Sequence, residues 1–580
     1  MELERYRLCA EAAKKNAKAE LVLKNANVVN VFTGEVIKGD VAIAEGIVVG
    51  VGQFEGIEER DMEERDMEGK YLCPGFIDSH LHLESTLVTP SELIGQAVQC
   101  GTTTYIVDPH ESANVSGAAG IDYILEQTEN VKANVYVMMP SCVPSTEFDD
   151  NGCEFTADKM KPYLDHPRIL GLGEVMDYVS VVSGDARMHE KLELFQGRTL
   201  DGHAPGLGDE DMAAYAMAGI ATDHECTDFD YALKERRLGM QILIREGSAA
   251  RNLEAIVKGI VEHGISTEGF CFCTDDKHIE EIQKDGHINY NVKKAVELGI
   301  PAVQAIQMAT VNAAKCYGLR HIGAIAPGYQ ADIVVLDDLC SMNVSEVFFK
   351  GRKVGRNELD KRRECPSGLK HTIHLKNFSK KCLKLPLQGK RAHVIQMEEG
   401  QITTKDLVCR VPGEKEFEAN GEFNKIAVIE RHKGTGRTGV GILAGFGLHG
   451  GAIASSVSHD SHNIIVVGDN DEDMELAVNE LVRTQGGYTI VENGAVSMTL
   501  ALPIMGLMSD AGYENVNAML KKMLVKAHQM GVPEAMEPFI TLSFMALPVI
   551  PELRITPRGL FSVSEFCLLD TIRNGEDNGN

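Results

Sequence analysis

Between residues 74 and 318 the chain alternates short β-rich runs with amphipathic helical segments eight times over, and that rhythm restricts the fold more than any other feature. The runs are GFIDSH (75–80), GTTTYIVD (101–108), NVYVMMP (134–140), RILGLGE (168–174), RTLDGH (198–203), GIATDH (219–224), GMQILIR (239–245) and GFCFCTD (269–275). Segments such as PSELIGQAVQC, DYALKERRLG and ARNLEAIVKGIVEHG separate them. Alternation of this kind belongs to parallel βα architectures. Eight units in roughly 250 residues match a TIM (β/α)8 barrel. An open doubly wound sheet is the alternative, but it requires neither eight units nor a polar residue at nearly every strand end.

Those strand ends are where a barrel places its chemistry. His80 and His82 stand two apart in GFIDSHLHLE, so a strand points both imidazoles the same way. Alone, the pair fits either a metal site or two histidines on a half-buried strand. The remaining ends supply His110 and Glu111, then Glu174, His203, His224 and Asp275. Singly, each could be a solvated or loop-capping group. Together they bring imidazoles and carboxylates to one mouth, a natural site for two divalent metals.

The flanks differ. Residues 1–73 begin with a polar helix, without the apolar core of a signal segment, and continue as strand-like runs: ELVLKN, ANVVNVFTGEVI, GDVAIAEGIVVGVG. The tandem EERDM at 58–62 and 63–67 has no core face and reads as an exposed loop duplication. After a helix at 301–316, residues 319–384 return to strands (HIGAIAPGYQADIVVLDD) that complete this small β domain, then a basic connecting stretch. Residues 385–580 mix strands (KIAVIER, HNIIVVG) with helices in a C-terminal α/β domain. The expected class is therefore α/β: a barrel over 74–318, a β domain built from both its sides, and a C-terminal unit.

A net charge of -28 would repel nucleic acid and anionic membranes, and suits a small neutral or cationic substrate. The 14 cysteines include no C-x-x-C pair, so zinc-ribbon spacings are absent and a reduced, cytoplasmic setting is expected. No apolar run approaches a membrane span. A homo-oligomer, a dimer, is the expected assembly.

The order His-x-His, carboxylate, His, His, Asp resembles the amidohydrolase superfamily over about residues 20–340. The longer stretches PGFIDSHLHLEST, DPHE, GLGEVMD, DGHAPGL, TDHE and IREGS are similar to the adenine deaminase family, as is the C-terminal unit with SVSHDSHN. The resemblance implies metal ligation by His80, His82, Glu174, His203, His224 and Asp275. Glu174 takes the bridging place that a carboxylated lysine often fills. Two divalent ions are implied, Mn2+ foremost, with Fe2+ or Zn2+ as alternatives. Adenine is the implied substrate, attacked at C6 by hydroxide from a water whose pKa is lowered from 15.7 to roughly 7. Asp275 would shuttle the proton to the departing amine. The Glu three residues beyond the fifth-strand His in adenosine deaminases is missing, because Ala204, Pro205 and Gly206 follow His203. Glu111 is the substitute candidate for protonating the ring.

Other signals divide. Gly434–Gly439 matches G-x-G-x-x-G, but a glycine-rich run follows where a dinucleotide fold requires a helix. Ser458, His459 and Asp460 lie in a polar stretch that is either a turn or a loop reaching the mouth to contact substrate. Arg245 and Glu246 could meet the purine or pair with each other. The rival functions are hydrolysis of a cyclic amide, as in dihydroorotases or hydantoinases, and a catalytically dead scaffold.

Overall fold

The computed structural model describes residues 2–17, 19–54, 63–248, 250–355, 364–387, 391–398 and 401–573. Eight parallel strands fall inside the runs named above or one residue beyond them. They are β1 (Phe76–Leu81), β2 (Thr102–Val107), β3 (Asn134–Met139), β4 (Ile169–Val175), β5 (Thr199–Gly202), β6 (Thr222–Asp223), β7 (Gln241–Arg245) and β8 (Phe270–Cys273). Strands β1 to β5 form one parallel sheet in sequential order, and β6 to β8 form another.

Hydrogen bonds cross both gaps between these sheets. Asp275 N–H donates to His80 O (3.0 Å), and Ser79 Oγ donates to Phe272 O (2.6 Å), joining β8 to β1. Ala221 N–H donates to Leu200 O (2.9 Å) at the other gap. Every residue of β1, β2 and β8 is buried, as in parallel strands covered on both faces. Ile77, Ile106, Met138, Leu243 and Cys271 pack together inside the curl, and Phe229, Ile256, Val257 and Ile260 pack helices onto the strands from outside.

A third sheet draws on both flanks: Ile333–Leu336 pairs antiparallel with Tyr71–Pro74, which lies beside Leu21–Asn30. Glu63–Asp66 pairs in parallel with Leu21–Asn30, so the second EERDM copy is a strand and not an exposed loop. Its backbone satisfies a sheet edge while its side chains stay largely in solvent. The first copy lies outside the described residues. The helix expected over 301–316 is two, Ala302–Met308 and Val311–Cys316, interrupted at Thr310 by a non-helical backbone.

Residues beyond 390 contribute a nine-stranded sheet. It is continued by the helices Asp471–Thr484, Tyr513–Gln529 and Pro538–Phe544. The G-x-G-x-x-G stretch leads into the strand Thr438–Ala444, without the helix that phosphate binding needs. This region packs on the strand-end side of the parallel sheets: Ser509 N–H donates to Leu87 O (2.9 Å), and one apolar cluster runs from Leu81 and Leu87 to Met508 and Phe539. Among the described residues, no helix is long and apolar enough to cross a membrane.

Candidate active site

Histidines at the C-terminal ends of β1, β2, β5 and β6 converge on the Glu174 carboxylate at the end of β4. Oε1 of Glu174 lies 3.1 Å from His80 Nε2 and 2.9 Å from His82 Nε2. Oε2 lies 3.1 Å from His203 Nδ1 and 3.6 Å from His224 Nε2. One carboxylate thus presents an oxygen to each histidine pair. Asp275 Oδ1 stands 3.7 Å from His80 Nε2 and 3.3 Å from His82 Nε2. All six side chains are buried. Local structure aims them: His82 Nδ1 is tied to Asp108 O (2.9 Å), which leaves Nε2 facing Glu174, and Asp108 Oδ2 accepts from Glu174 N–H (2.9 Å). Gly173 is required there, since a Cβ would stand 2.1 Å from Asp108 Oδ2.

These residues fit a divalent cation. Both ring nitrogens of His80, Glu174 Oε1, His203 Nε2 and His224 Nδ1 are buried without a hydrogen-bond partner among the described residues. Such atoms are costly unless something satisfies them. Donor atoms of His80, Glu174 and His224, and of His80, His82 and Asp275, lie within 4.8 Å of one another in each group. The set is imidazole and carboxylate, without thiolate.

Charge state separates the carboxyl groups. Burial opposes ionisation of Glu174 and Asp275, but the surrounding imidazoles, and Arg245 beside Asp275, hold both below the usual carboxylate range. Glu111 is driven the other way: burial, with Glu84 and Asp276 close by, pushes it well above that range. It lies in the first turn of the helix His110–Ser116, fully buried, and accepts from Ser85 Oγ (2.9 Å).

The stretch 458–463 reaches this cluster. His459 Nδ1 is 3.6 Å from Glu111 Oε1, His462 Nε2 is 3.7 Å from Glu111 Oε2, and Asp460 Oδ1 is 3.5 Å from His110 Nε2. Ser458 is buried with its Oγ unpartnered among the described residues. Arg245 and Glu246 do not pair with each other. Arg245 forks onto Glu225, reaches Asp275 Oδ2 (3.2 Å) and donates to Asn252 Oδ1 (2.9 Å), while Glu246 pairs with Lys294 (2.7 Å). Arg245 therefore orients Asp275.

Glu225 was not singled out in the sequence, yet its Oε1 lies 3.7 Å from His203 Nδ1 and 3.6 Å from His224 Nε2. Its place directly after His224 in TDHE was the available signal. His110, noted only as a strand-end residue, puts Nδ1 3.6 Å from Glu174 Oε1.

Comparison with known proteins adds an independent line. Residues 71–354 match the amidohydrolase family, and residues 401–567 match the adenine deaminase C-terminal domain. The chain is 57% identical over 549 residues to the adenine deaminase of Desulfitobacterium hafniense (strain Y51), covering 94% of this chain and 96% of that protein. It is 44% identical to the adenine deaminase of Clostridium acetobutylicum, covering 95% and 97% respectively. Among solved structures, a β-aspartyl dipeptidase from Fervidobacterium islandicum AW-1 is 19% identical with a TM-score of 0.46, covering 60% of this chain and 99% of its own.

Proposed function

The chain belongs to the adenine deaminase family of amidohydrolases, and on that premise we propose that two divalent ions, which Glu174 would hold together with His80, His82, His203, His224 and Asp275, serve its hydrolysis of adenine to hypoxanthine and ammonia. The observation that carries the reading is the split of Glu174, one oxygen toward His80 and His82 and the other toward His203 and His224. A bridging carboxylate needs no modified lysine, which disfavours the cyclic-amide reading. No implied ligand is missing, which disfavours a dead scaffold. We read the two parallel sheets as one closed (β/α)8 barrel over 74–318, with a β domain from 1–73 and 319–384 and a C-terminal α/β domain over 385–580.

Bound divalent ions, with Mn2+ the first candidate, would acidify a water from a pKa of 15.7 to roughly 7. Asp275, held toward the ionised form and facing His80 and His82, accepts a proton from the attacking water as its oxygen adds to C6. It then delivers the proton to the amino nitrogen, which leaves as ammonia. Glu111, held neutral by burial, donates its proton to the ring nitrogen beside C6. It is restored by the hydroxyl proton released as the product carbonyl forms. Arg245 holds Asp275 in place through its fork on Glu225. Ser458, His459 and Asp460 close the mouth from the C-terminal side and contact the base.

Ammonia release from adenine, adenosine, guanine and cytosine by the Mn2+-loaded protein tests the reading. Adenine should react and adenosine poorly. Equal turnover of both would contradict assignment to the free base.

A further inference from the structure

A cavity of about 470 Å³ opens between the strand ends and the C-terminal region, lined by Glu225 and Arg245 on one side and by Ile402, Met536, Glu537 and Ile550 on the other. Its volume falls within the few hundred cubic ångströms usual for small-molecule sites. Glu225 and Arg245 contact His203, His224 and Asp275, so this cavity borders the reacting centre. Glu537 on the opposite wall and His278, which lies against it, are polar groups that the chemistry at C6 does not use.

Glu537 precedes the helix Pro538–Phe544, and its Oε2 accepts from Ile540 N–H at 2.5 Å. Its Oε1 has no hydrogen-bond partner among the described residues. That oxygen lies 3.8 Å from Nδ1 of His278, whose Nε2 is likewise unpartnered and whose side chain is only 3% exposed. Behind them the Tyr488 ring, 6.5 Å from the His278 ring, stacks on Phe539 at 4.4 Å and 6°. Capping the helix explains one oxygen of Glu537. It leaves the other, and the imidazole, without a role.

We propose that Glu537 and His278 bind the imidazole side of the purine, taking its N–H and its neighbouring unprotonated nitrogen, and thereby select the free base over nucleosides. With C6 at Glu174 and Asp275, and Glu111 on the six-membered ring, the five-membered ring is the part left for the far wall. A free purine carries a ring N–H there, and a nucleoside has exchanged that hydrogen for a sugar. The pair suits a neutral ligand, because burial pushes Glu537 up to about 8 and His278 down to about 3, leaving both uncharged near neutral pH. A site built to bond an N–H discriminates strongly against an analogue lacking it, by up to about 10⁴-fold or more. The inference rests on adenine as substrate and adds the groups that recognise it.

The test compares kcat/KM for adenine and 9-methyladenine in the metal-loaded wild type, Glu537→Asp, Glu537→Gln and His278→Leu, each with its metal content measured. Glu537→Asp keeps a carboxylate able to cap the helix while withdrawing from the cavity. The wild type should prefer adenine by more than about 10²-fold, and each variant should narrow that ratio at least about tenfold without losing metal. Wild-type ratios in metal-replete Glu537→Asp and His278→Leu would overturn the inference while leaving adenine deamination intact. A wild type inactive on adenine would overturn the substrate reading, and this inference with it.

Discussion

Two carboxyl groups that both feel His82, Asp275 and Glu111, are driven toward opposite charge states by what else surrounds them. Asp275, among His82, His224 and Arg245, is held toward the ionised form and is the proposed base; Glu111, buried with Glu84 and Asp276, is held toward the protonated form and is the proposed acid. Asp275→Asn keeps the shape and removes the base, so turnover of adenine should fall by roughly 10²–10⁴, further if metal leaves. Glu111→Gln should lower turnover while metal content, measured on the same sample, holds; near-normal turnover would remove Glu111 from the mechanism. The pH profile separates the two. An acid works only while protonated, so activity should decline as pH rises through the raised pKa of Glu111, and that alkaline limb should be absent from the residual activity of Glu111→Gln. At this scale, His80 and His82 were legible because a period of two is visible in the sequence. Glu537 was not, because the chain brings it beside His278 only through tertiary packing.

The elements that complete the site come from the C-terminal region, and a buried arginine holds the main one. Arg431 is fully buried, and its guanidinium donates to His462 O, to Thr372 Oγ1 (3.0 Å) and to Met505 O (2.9 Å). It thereby ties the 456–463 stretch, which carries His459 and Asp460, to two neighbouring segments. Arg431→Met leaves these acceptors unpaired, at about 1–3 kcal/mol each. A lower melting temperature is expected, together with adenine turnover reduced out of proportion to metal content. Unchanged turnover would show that the stretch holds its position without the arginine. The eight strands were legible because buried parallel strands read as apolar runs with polar ends. The break at Thr310 and the strand at Glu63–Asp66 were not, since one is a local backbone departure and the other depends on an edge supplied by Leu21–Asn30. The reach of residues 458–463 to Glu111 was legible only as one of two alternatives, because nothing local fixes where a polar stretch between strands will dock.

For the whole molecule, the charge of -28 and the wall built by residues beyond 400 belong to one picture. A small neutral base can approach an acidic surface, and a cavity bounded by both regions borders the cluster of imidazoles. The sequence revealed the overall class through its alternation and charge. It could not reveal the cavity, whose lining comes from residues as distant as Glu225 and Glu537. The measurement that bears most directly on the proposed two-metal centre is a titration of chelator-treated protein with Mn2+, following hypoxanthine formed from adenine. Activity should be absent before addition and should reach its plateau at two ions per chain. Full activity in the metal-free protein, or a plateau at one ion per chain, would contradict the bridging role of Glu174.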